Sequence, residues 1–429
     1  MGCPIPEIVS GPLPDKISIC PNDFRGIKPK LIVKEGDQVK IGSPLFFDKL
    51  KPDIMWPSPA SGKVTSIQIG ARRVIERINI SRIGNEPLKY RQFTEKEIKQ
   101  SDRKTILDHI LQANLFPLIR QRPFNKVANP IDLPRDIFIS GHNSAPLSVN
   151  LSNLIESEKE LFQLGLTVLS KLTNGDVFLS LSKYMDFEDV FVKTISGPHP
   201  SGNVGIQIHH IKPLCPGDKV WSVNAQHVLT LGKLFQLGHY DPKIIVAIGG
   251  SGSTSPITIE SISCAHIQSL INSQSIERPV RIVSGDILTG VEVDSDGFLG
   301  FYDSAVGLIN DEVKRPFLGM LSLGSNKTKY SLFNTFLSFG NKSFNFTTSQ
   351  NGELRAMVPL NAWEKVLPMD IYPNPLYRAI LAKDIEEMEK LGIWECDDED
   401  FALCSFACPS KIDVGSVIRD GLDLMELEG

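Results

Sequence analysis

Between Ile17 and Ile80 the chain runs in short apolar bursts, each broken by Gly, Pro or Asp before a helix of ordinary length could form. The bursts read LIVKEGDQVKIGSPLFF, then MWPSPASGKVTSIQIG, then ARRVIERINI. Gly36-Asp37 and Gly42-Ser43 carry turn chemistry, and Pro57, Pro59 and Gly62 mark a further corner. The stretch is therefore expected to be all β.

Two segments of it resemble the barrel-sandwich hybrid of biotinyl and lipoyl carrier domains. Lys34-Glu35-Gly36-Asp37-Gln38-Val39, with Gly42 and Leu45, matches the entry strand pair of that fold, and Pro59-Ala60-Ser61-Gly62-Lys63-Val64 matches its exit. In carriers a lysine at the tip of the intervening hairpin takes the prosthetic group, and the resemblance brings Asp48-Lys49 to that place. The hairpin is read here as longer than the carrier's, with Pro52 inside it, and the barrel is read as structure or docking surface rather than as a carrier.

At 429 residues the chain exceeds one ordinary hydrophobic core, and several domains are expected. Residues 86–113 turn polar and lead into a helix from about Asp102. Asp136–Ser140 and Asp176–Leu181 read as strands flanking a helix over Leu151–Leu172, and Val190–Ser196, Gly205–Ile211 and Ile244–Ile248 read as further strands. Strands alternating with a helix of that length point to an α/β layer with parallel pairing. A helix near Pro256–Asn272, a strand at Arg278–Ser284 and turns at Gly285-Asp286 and Asp296-Gly297 suggest a small α+β unit. Beyond Arg315 the chain is irregular, with Phe317, Phe333, Phe336, Phe339, Phe344 and Phe346 among Asn, Ser and Thr, and after Pro375 it turns helical.

The net charge of −5, with no dense basic cluster, argues against nucleic acid as a partner. No apolar run approaches the roughly 18–20 residues of a membrane-spanning helix; the strongest, Lys243–Gly250, reads as a buried strand. The first ten residues lack the features of a secretion signal, and Pro6 stands where a myristoylation motif needs Ser or Thr. Seven scattered cysteines do not suggest a disulfide framework.

Candidate chemistry is sparse. Gly249-Gly250-Ser251-Gly252-Ser253 follows a strand but is neither G-x-G-x-x-G nor a P-loop, and reads as a flexible connection. His209-His210, placed on a strand, would point to opposite faces and cannot share a metal ion. There is no G-x-S-x-G elbow. Cys404-x3-Cys408-Pro409 reproduces the end of a ferredoxin cluster motif, C-x2-C-x2-C-x3-C-P, but Asp398 and Phe401 stand where its first two cysteines belong, and Cys396 is out of register. The two cysteines read as buried packing residues, with Pro409 in the first turn of a final helix through Val414, Ile418, Leu422 and Met425.

The whole chain resembles the A-subunit family of bacterial sodium-translocating NADH:quinone reductases, related to a barrel-bearing component of the Rnf electron-transport complex. The resemblance is carried by the barrel segments, Arg122-Pro123-Phe124-Asn125-Lys126-Val127, Gly197-Pro198-His199-Pro200, Ser284-Gly285-x-x-Leu288-Thr289-Gly290, Phe344-Asn345-Phe346-Thr347-Thr348, Arg355-Ala356-Met357-Val358-Pro359 and Glu399-Asp400-x-Ala402-Leu403-Cys404.

It implies a multidomain α+β chain: a barrel-sandwich hybrid over 1–100, a Rossmann-like α/β domain over 101–254, a β-grasp (SLBB-like) unit over 255–310, and a C-terminal irregular and helical segment over 311–429. It also implies a peripheral subunit on the cytoplasmic face of the bacterial inner membrane, without a transmembrane helix of its own. That subunit would work in a complex passing electrons from NADH to ubiquinone while exporting Na⁺, beside membrane-embedded partner subunits. FAD, FMN and the iron–sulfur cluster are expected in the other subunits and no redox cofactor in this chain. Relatives with a flavin loop carry glycines where this chain has Leu115–Lys126, which has none.

No catalytic or metal-binding residue is assigned. Arg120, Arg122, Phe124, Lys126 and His199 are the candidate contacts, either for a quinone headgroup or, as the favoured use, for a partner subunit. The alternatives are a lipoyl- or biotinyl-type carrier modified at Lys49 and an electron-input subunit with bound flavin or iron–sulfur.

Overall fold

The turn-punctuated N-terminal sequence folds into two small antiparallel sheets packed face to face. The computed structural model describes residues 2–272, 279–312 and 344–428. Lys16–Ile19, Ile75–Arg82, Gly62–Ile69 and Gln38–Val39 form one sheet, and Pro29–Leu31, Pro44–Asp48 and Lys51–Pro57 the other. Alternate residues point inward, and Ile17, Ile19, Leu45, Val64 and Ile78 are fully buried. Phe46 stacks on Trp56, with ring centroids 4.8 Å apart. The hairpin at Lys49 is shorter than the sequence suggested: Asp48 pairs with Lys51, Lys49-Leu50 is the whole turn, and Pro52 lies in the returning strand. The buried Asp48 carboxylate fixes it by accepting the amides of Lys28 (2.9 Å) and Leu50 (3.0 Å).

The second sheet runs, edge to edge, Lys126–Val127, Arg120–Arg122, Val220–Asn224, Ile137–Ser140, Val177–Leu181, Phe191–Thr194. The last four strands are parallel, and Arg120–Arg122 with Lys126–Val127 adds an antiparallel hairpin. Val220–Asn224 returns to lie beside Ile137–Ser140, so the strand order reverses between them. In open α/β sheets that reversal opens a crevice at the carboxyl ends of the strands. The helix expected over Leu151–Leu172 is broken at Glu158 into Leu151–Ser157 and Lys159–Ser170. The second half crosses Ala225–Leu237 with the backbones nearly touching: a Cβ on Gly165 or Gly232 would meet the carbonyl of Val228 or Leu161 at 2.2 Å.

Two expectations reverse. Val204–Ile211 is a helix, not a strand. Its apolar alternation arises because it is covered on two sides: Val204 and Ile208 pack with Phe138 and Phe178 on the sheet, and Ile206 joins the C-terminal core. Conversely, the segment read as a helix from Pro256 forms the strand Ile257–Ile262, whose β-branched residues suit a sheet, and only Ile267–Ile271 is helical.

That strand belongs to a third, mixed sheet: Ile8–Ser10, Ile257–Ile262, Lys243–Gly249, Ala305–Asn310, Val280–Ser284, Val291–Val293. It draws one strand from the first residues of the chain and one, Lys243–Gly249, that the sequence grouped with the α/β unit. The glycine run after Lys243–Gly249 is closely packed rather than loose. The Gly250 amide bonds to Gly2 O (2.9 Å), and a Cβ on Gly250 would meet Leu308 O at 2.2 Å.

The C-terminal helices Pro373–Ala382, Ile385–Lys390, Ala402–Ala407 and Val414–Glu428 surround Trp363, Leu376, Met388, Phe401, Cys404, Ile418 and Leu422. Pro409 does not open the last helix, which begins at Val414. Its first amides, Val414 and Gly415, are instead capped by Ser405 Oγ of the preceding helix, at 2.9 and 3.3 Å. The Phe317, Phe333, Phe336 and Phe339 stretch and Arg278 lie outside the described residues.

Candidate functional site

The hairpin Arg120–Val127 turns through Phe124 (φ 77°) and Asn125 (φ 50°). Asn tolerates the left-handed region, but Phe is strained in it and must be held there by tertiary contacts. Those contacts come from the C-terminal segment. Arg419 Nη1 donates to Phe124 O (3.1 Å), Asn125 Nδ2 donates to Asp397 Oδ2 (2.6 Å), and the Phe124 ring meets Trp394 edge-on at 5.6 Å. Lys126 lies over the Phe124 ring at 5.1 Å and pairs with Glu426.

Arg122 is the centre of this joint. Its side chain is 2% exposed and reaches three carboxylates of the acidic run 397–400: Asp397 (3.2 Å), Glu399, and Asp400 (3.7 Å). Arg25, from the barrel, forks onto Asp398 (2.6 and 3.2 Å) and reaches Asp397 at 3.5 Å. Arg419 adds bonds to Asp397 and to Asp398 (3.0 Å). Three guanidinium groups thus face four carboxyl groups. Burial pushes Asp400 up to about 7 against the pull of Arg122, and burial with the other two arginines draws Arg419 down to about 9. Asn203, just before the Val204–Ile211 helix, donates to Asp400 Oδ1 (3.2 Å), and the carboxyl group lies against Gly205, where a Cβ would meet Oδ2 at 2.1 Å. The C-terminal segment therefore packs over the start of this helix at the carboxyl end of the parallel sheet.

Beside the joint opens a cleft of about 680 Å³, walled by the barrel loop at Asp23, the hairpin, the loops Leu288–Val291 and Gly300–Asp303, and the final helix. Arg120, half-buried, points here instead of into the carboxylate network, and its guanidinium lies 4.9 Å above the Tyr302 ring. Tyr302 is anchored by donating its hydroxyl to Pro117 O (2.7 Å). Burial raises Asp23 to about 6, with the Asp303 carboxyl adding to the rise. Burial also raises Asp303, opposed by the Ser284 hydroxyl and the Arg120 charge.

His199 is placed apart from this wall. Its Nδ1 is 3.2 Å from Ser144 Oγ, which accepts the Gly202 amide at 2.7 Å. Burial lowers its pKa, opposed by the charges of Asp286 and Glu399, so it sits near the acidic run without joining the network. Of the five sequence candidates, Arg122, Phe124 and Lys126 meet in the joint, Arg120 faces the cleft, and His199 flanks the helix start. Arg25, Asp23, Asp303, Asp397 and Arg419 were missed. The signal for part of the set was present: four consecutive acids beside Cys396, and an arginine directly after the apolar pair Val417-Ile418 in the last helix.

His209 and His210 lie on a helix and bind separate groups. His209 Nε2 accepts the Asp370 amide (3.0 Å) while Nδ1 donates to Glu395 (2.8 Å), and His210 donates to Pro368 O (2.8 Å). Among the described residues no group of three or more His, Cys, Asp or Glu is arranged to hold a metal ion, and no helix is long and apolar enough to cross a membrane. Cys404 and Cys408 are buried in the C-terminal core, as the packing reading expected, and Cys396 is buried with them.

Residues 1–82 match the family model of the NqrA N-terminal barrel-sandwich hybrid domain, and residues 101–240 that of the NqrA second alpha/beta domain. Over its full length the chain is 36% identical to the A-subunit of the Na(+)-translocating NADH-quinone reductase of Saccharophagus degradans and to that of Yersinia pseudotuberculosis, covering 97% of each. It is 35% identical to the protein of the same name from Pasteurella multocida, again covering all of this chain and 97% of the relative.

Proposed function

The chain belongs to the NqrA family, the A-subunits of the Na⁺-translocating NADH-quinone reductases, and from that membership we propose that it serves as a peripheral subunit on the cytoplasmic face of a bacterial inner membrane. The complex passes electrons from NADH to ubiquinone and exports Na⁺. This chain contributes scaffold and quinone handling, while FAD, FMN and iron–sulfur reside in the other, partly membrane-embedded subunits. By the same proposal, residues 101–254 are a Rossmann-like domain and 255–310 a β-grasp unit of the SLBB kind, completed by strands from elsewhere in the chain.

The observation that carries the scaffold reading is the arginine–carboxylate joint. The cations that could have held a ligand at the hairpin, Arg122 and Lys126, are engaged by the chain's own C-terminal segment. That leaves Arg120, over Tyr302, as the hairpin residue through which a quinone headgroup would be held. An affinity-tagged chain recovered from detergent-solubilised membranes should bring flavin-bearing membrane subunits with it. Recovery of the chain alone, from membranes in which the complex is active, would overturn the reading.

The carrier reading keeps one observation in its favour, the exposed Lys49 in a two-residue turn. Intact-mass measurement of protein from its native membrane decides it: the unmodified mass is expected, and a lipoyl or biotinyl increment would restore the carrier.

A further inference from the structure

Around the cleft three partly buried charged groups, Asp23, Asp303 and Arg120, are left over from ion pairing. Asp23 accepts the Phe301 amide through Oδ2 (3.0 Å), and Asp303 accepts the Ser284 hydroxyl through Oδ2 (2.6 Å). Among the described residues neither carboxyl has a Lys, Arg or His nitrogen within 4.0 Å. Arg120 has no carboxylate within that distance either; it rests on an aromatic face. All three line the same cleft, with Phe24, Phe301 and Tyr302 supplying flat apolar wall. Partly buried groups of opposite charge that stop short of one another leave room for a ligand with both hydrogen-bond acceptors and donors.

Resting on the quinone-handling reading above, we propose that Asp23 and Asp303 discriminate the redox state of the headgroup in this cleft, donating hydrogen bonds to quinone carbonyls when protonated and accepting them from quinol hydroxyls when ionised. Arg120 donates to an oxygen of either form. No covalent bond is made or broken in this recognition, and the electrons for quinone reduction come from the rest of the complex.

Asp23, held up at about 6, passes between both forms near neutral pH. Asp303, the other carboxyl of the pair, adds to that rise. Cys20 and Cys264 face Asp23 and are kept protonated by burial, and the nearby Arg77 charge pulls Asp23 down against the burial. Around Arg120, burial keeps Tyr302 protonated and, with Arg120, draws His227 down to about 3, so that it stays neutral. Asp286 faces Asp303, and its carboxylate is engaged by the amides of Leu288 (2.8 Å) and Thr289 (3.1 Å).

The test is calorimetric titration of the full chain with a water-soluble dimethoxy-methyl-benzoquinone and, anaerobically, with its hydroquinone, at pH 5.5 and 7.5. The quinone should bind more tightly at pH 5.5 by a factor on the order of ten, and the hydroquinone at pH 7.5 by roughly fourfold. Asp23→Asn with Asp303→Asn should still bind but lose the opposed trends, and Asp23→Asn alone should weaken them if the double variant does not fold. Binding of both forms with the same pH trend, or opposed trends that survive the double substitution, would overturn the carboxyl pair and leave quinone handling intact. Failure of either form to bind the wild-type chain would remove the quinone reading itself and this inference with it.

Discussion

Arg122 Nη2 and Asp397 Oδ2 are 3.2 Å apart in side chains that are 2% and 0% exposed, and they belong to segments 275 residues apart in sequence (397 minus 122). A buried ion pair is weak evidence of net stability, because desolvation offsets the attraction, but removing one member strands the other. Arg122→Ala is expected to cost about 3–5 kcal/mol, and Asp397→Asn somewhat less because Asp398 and Glu399 remain for the arginines. Since Trp363 and Trp394 both sit in or against the C-terminal core, urea unfolding followed by tryptophan fluorescence should show a separate early transition in the variant. A single transition at the wild-type midpoint would show that the joint does not hold this segment.

Gly205 tests the same joint from the other side. In most helix interiors Gly→Ala is worth about 1 kcal/mol of stabilisation. At 205 the added methyl would sit 2.1 Å from Asp400 Oδ2, so the acidic run must move. Gly205→Ala is expected to lower the melting temperature and to raise protease cleavage between residues 383 and 413. A higher melting temperature would mean that Asp400 yields freely.

What the sequence disclosed and what it hid divide along the range of the interactions. Local chemistry was legible: turn residues marked out the barrel, the helix expected from about Asp102 starts there with Asp102 accepting the Thr105 amide (2.9 Å), and the broken ferredoxin spacing led to buried cysteines. The reversed elements, Val204–Ile211 and Ile257–Ile262, are those whose apolar pattern is set by cover from distant segments. Several family motifs converge on one place: Arg122 of the hairpin, Asn203 just beyond Pro200, Leu288–Gly290 and Glu399-Asp400 all border the joint or its cleft. Their convergence could not be read from spacing, since Arg25 and Asp398 meet across 373 residues.

His109 offers a pH test independent of the joint. It is 5% exposed among Tyr90, Phe93 and Phe235, its Nε2 has no partner, and burial with the Arg91 charge brings it down to about 4. The unfolded chain takes up this proton near pH 6.5, so stability is present above that value and is lost as pH falls toward 4. The loss from this one group is up to about 3 kcal/mol. Asp400 has the opposite sign: the folded state retains a proton up to about 7, so its contribution declines as pH rises from about 4 to 7. His109→Phe should therefore leave the melting temperature at pH 7.5 nearly unchanged and flatten its decline between pH 6.5 and 4. An acid limb as steep as wild type would assign the decline to other groups.

The tail cysteines provide the remaining test, because a cluster ligand must be a thiolate. Burial raises the thiol pKa of Cys404 and carries Cys396 well above the ordinary range. Cys404 Sγ is 3.8 Å from Trp363 O, a contact in which the thiol donates, and Cys396 Sγ is 3.6 Å from Gly392 O. Groups held protonated and donating to backbone carbonyls are packing elements. Cys404→Ala should cost about 1–2 kcal/mol through the small cavity it leaves, as read by urea unfolding. The anaerobically purified wild-type chain should show no absorbance near 400 nm and iron well below one atom per chain. A brown protein that loses its colour in Cys404→Ala would restore the cluster and the electron-input reading with it.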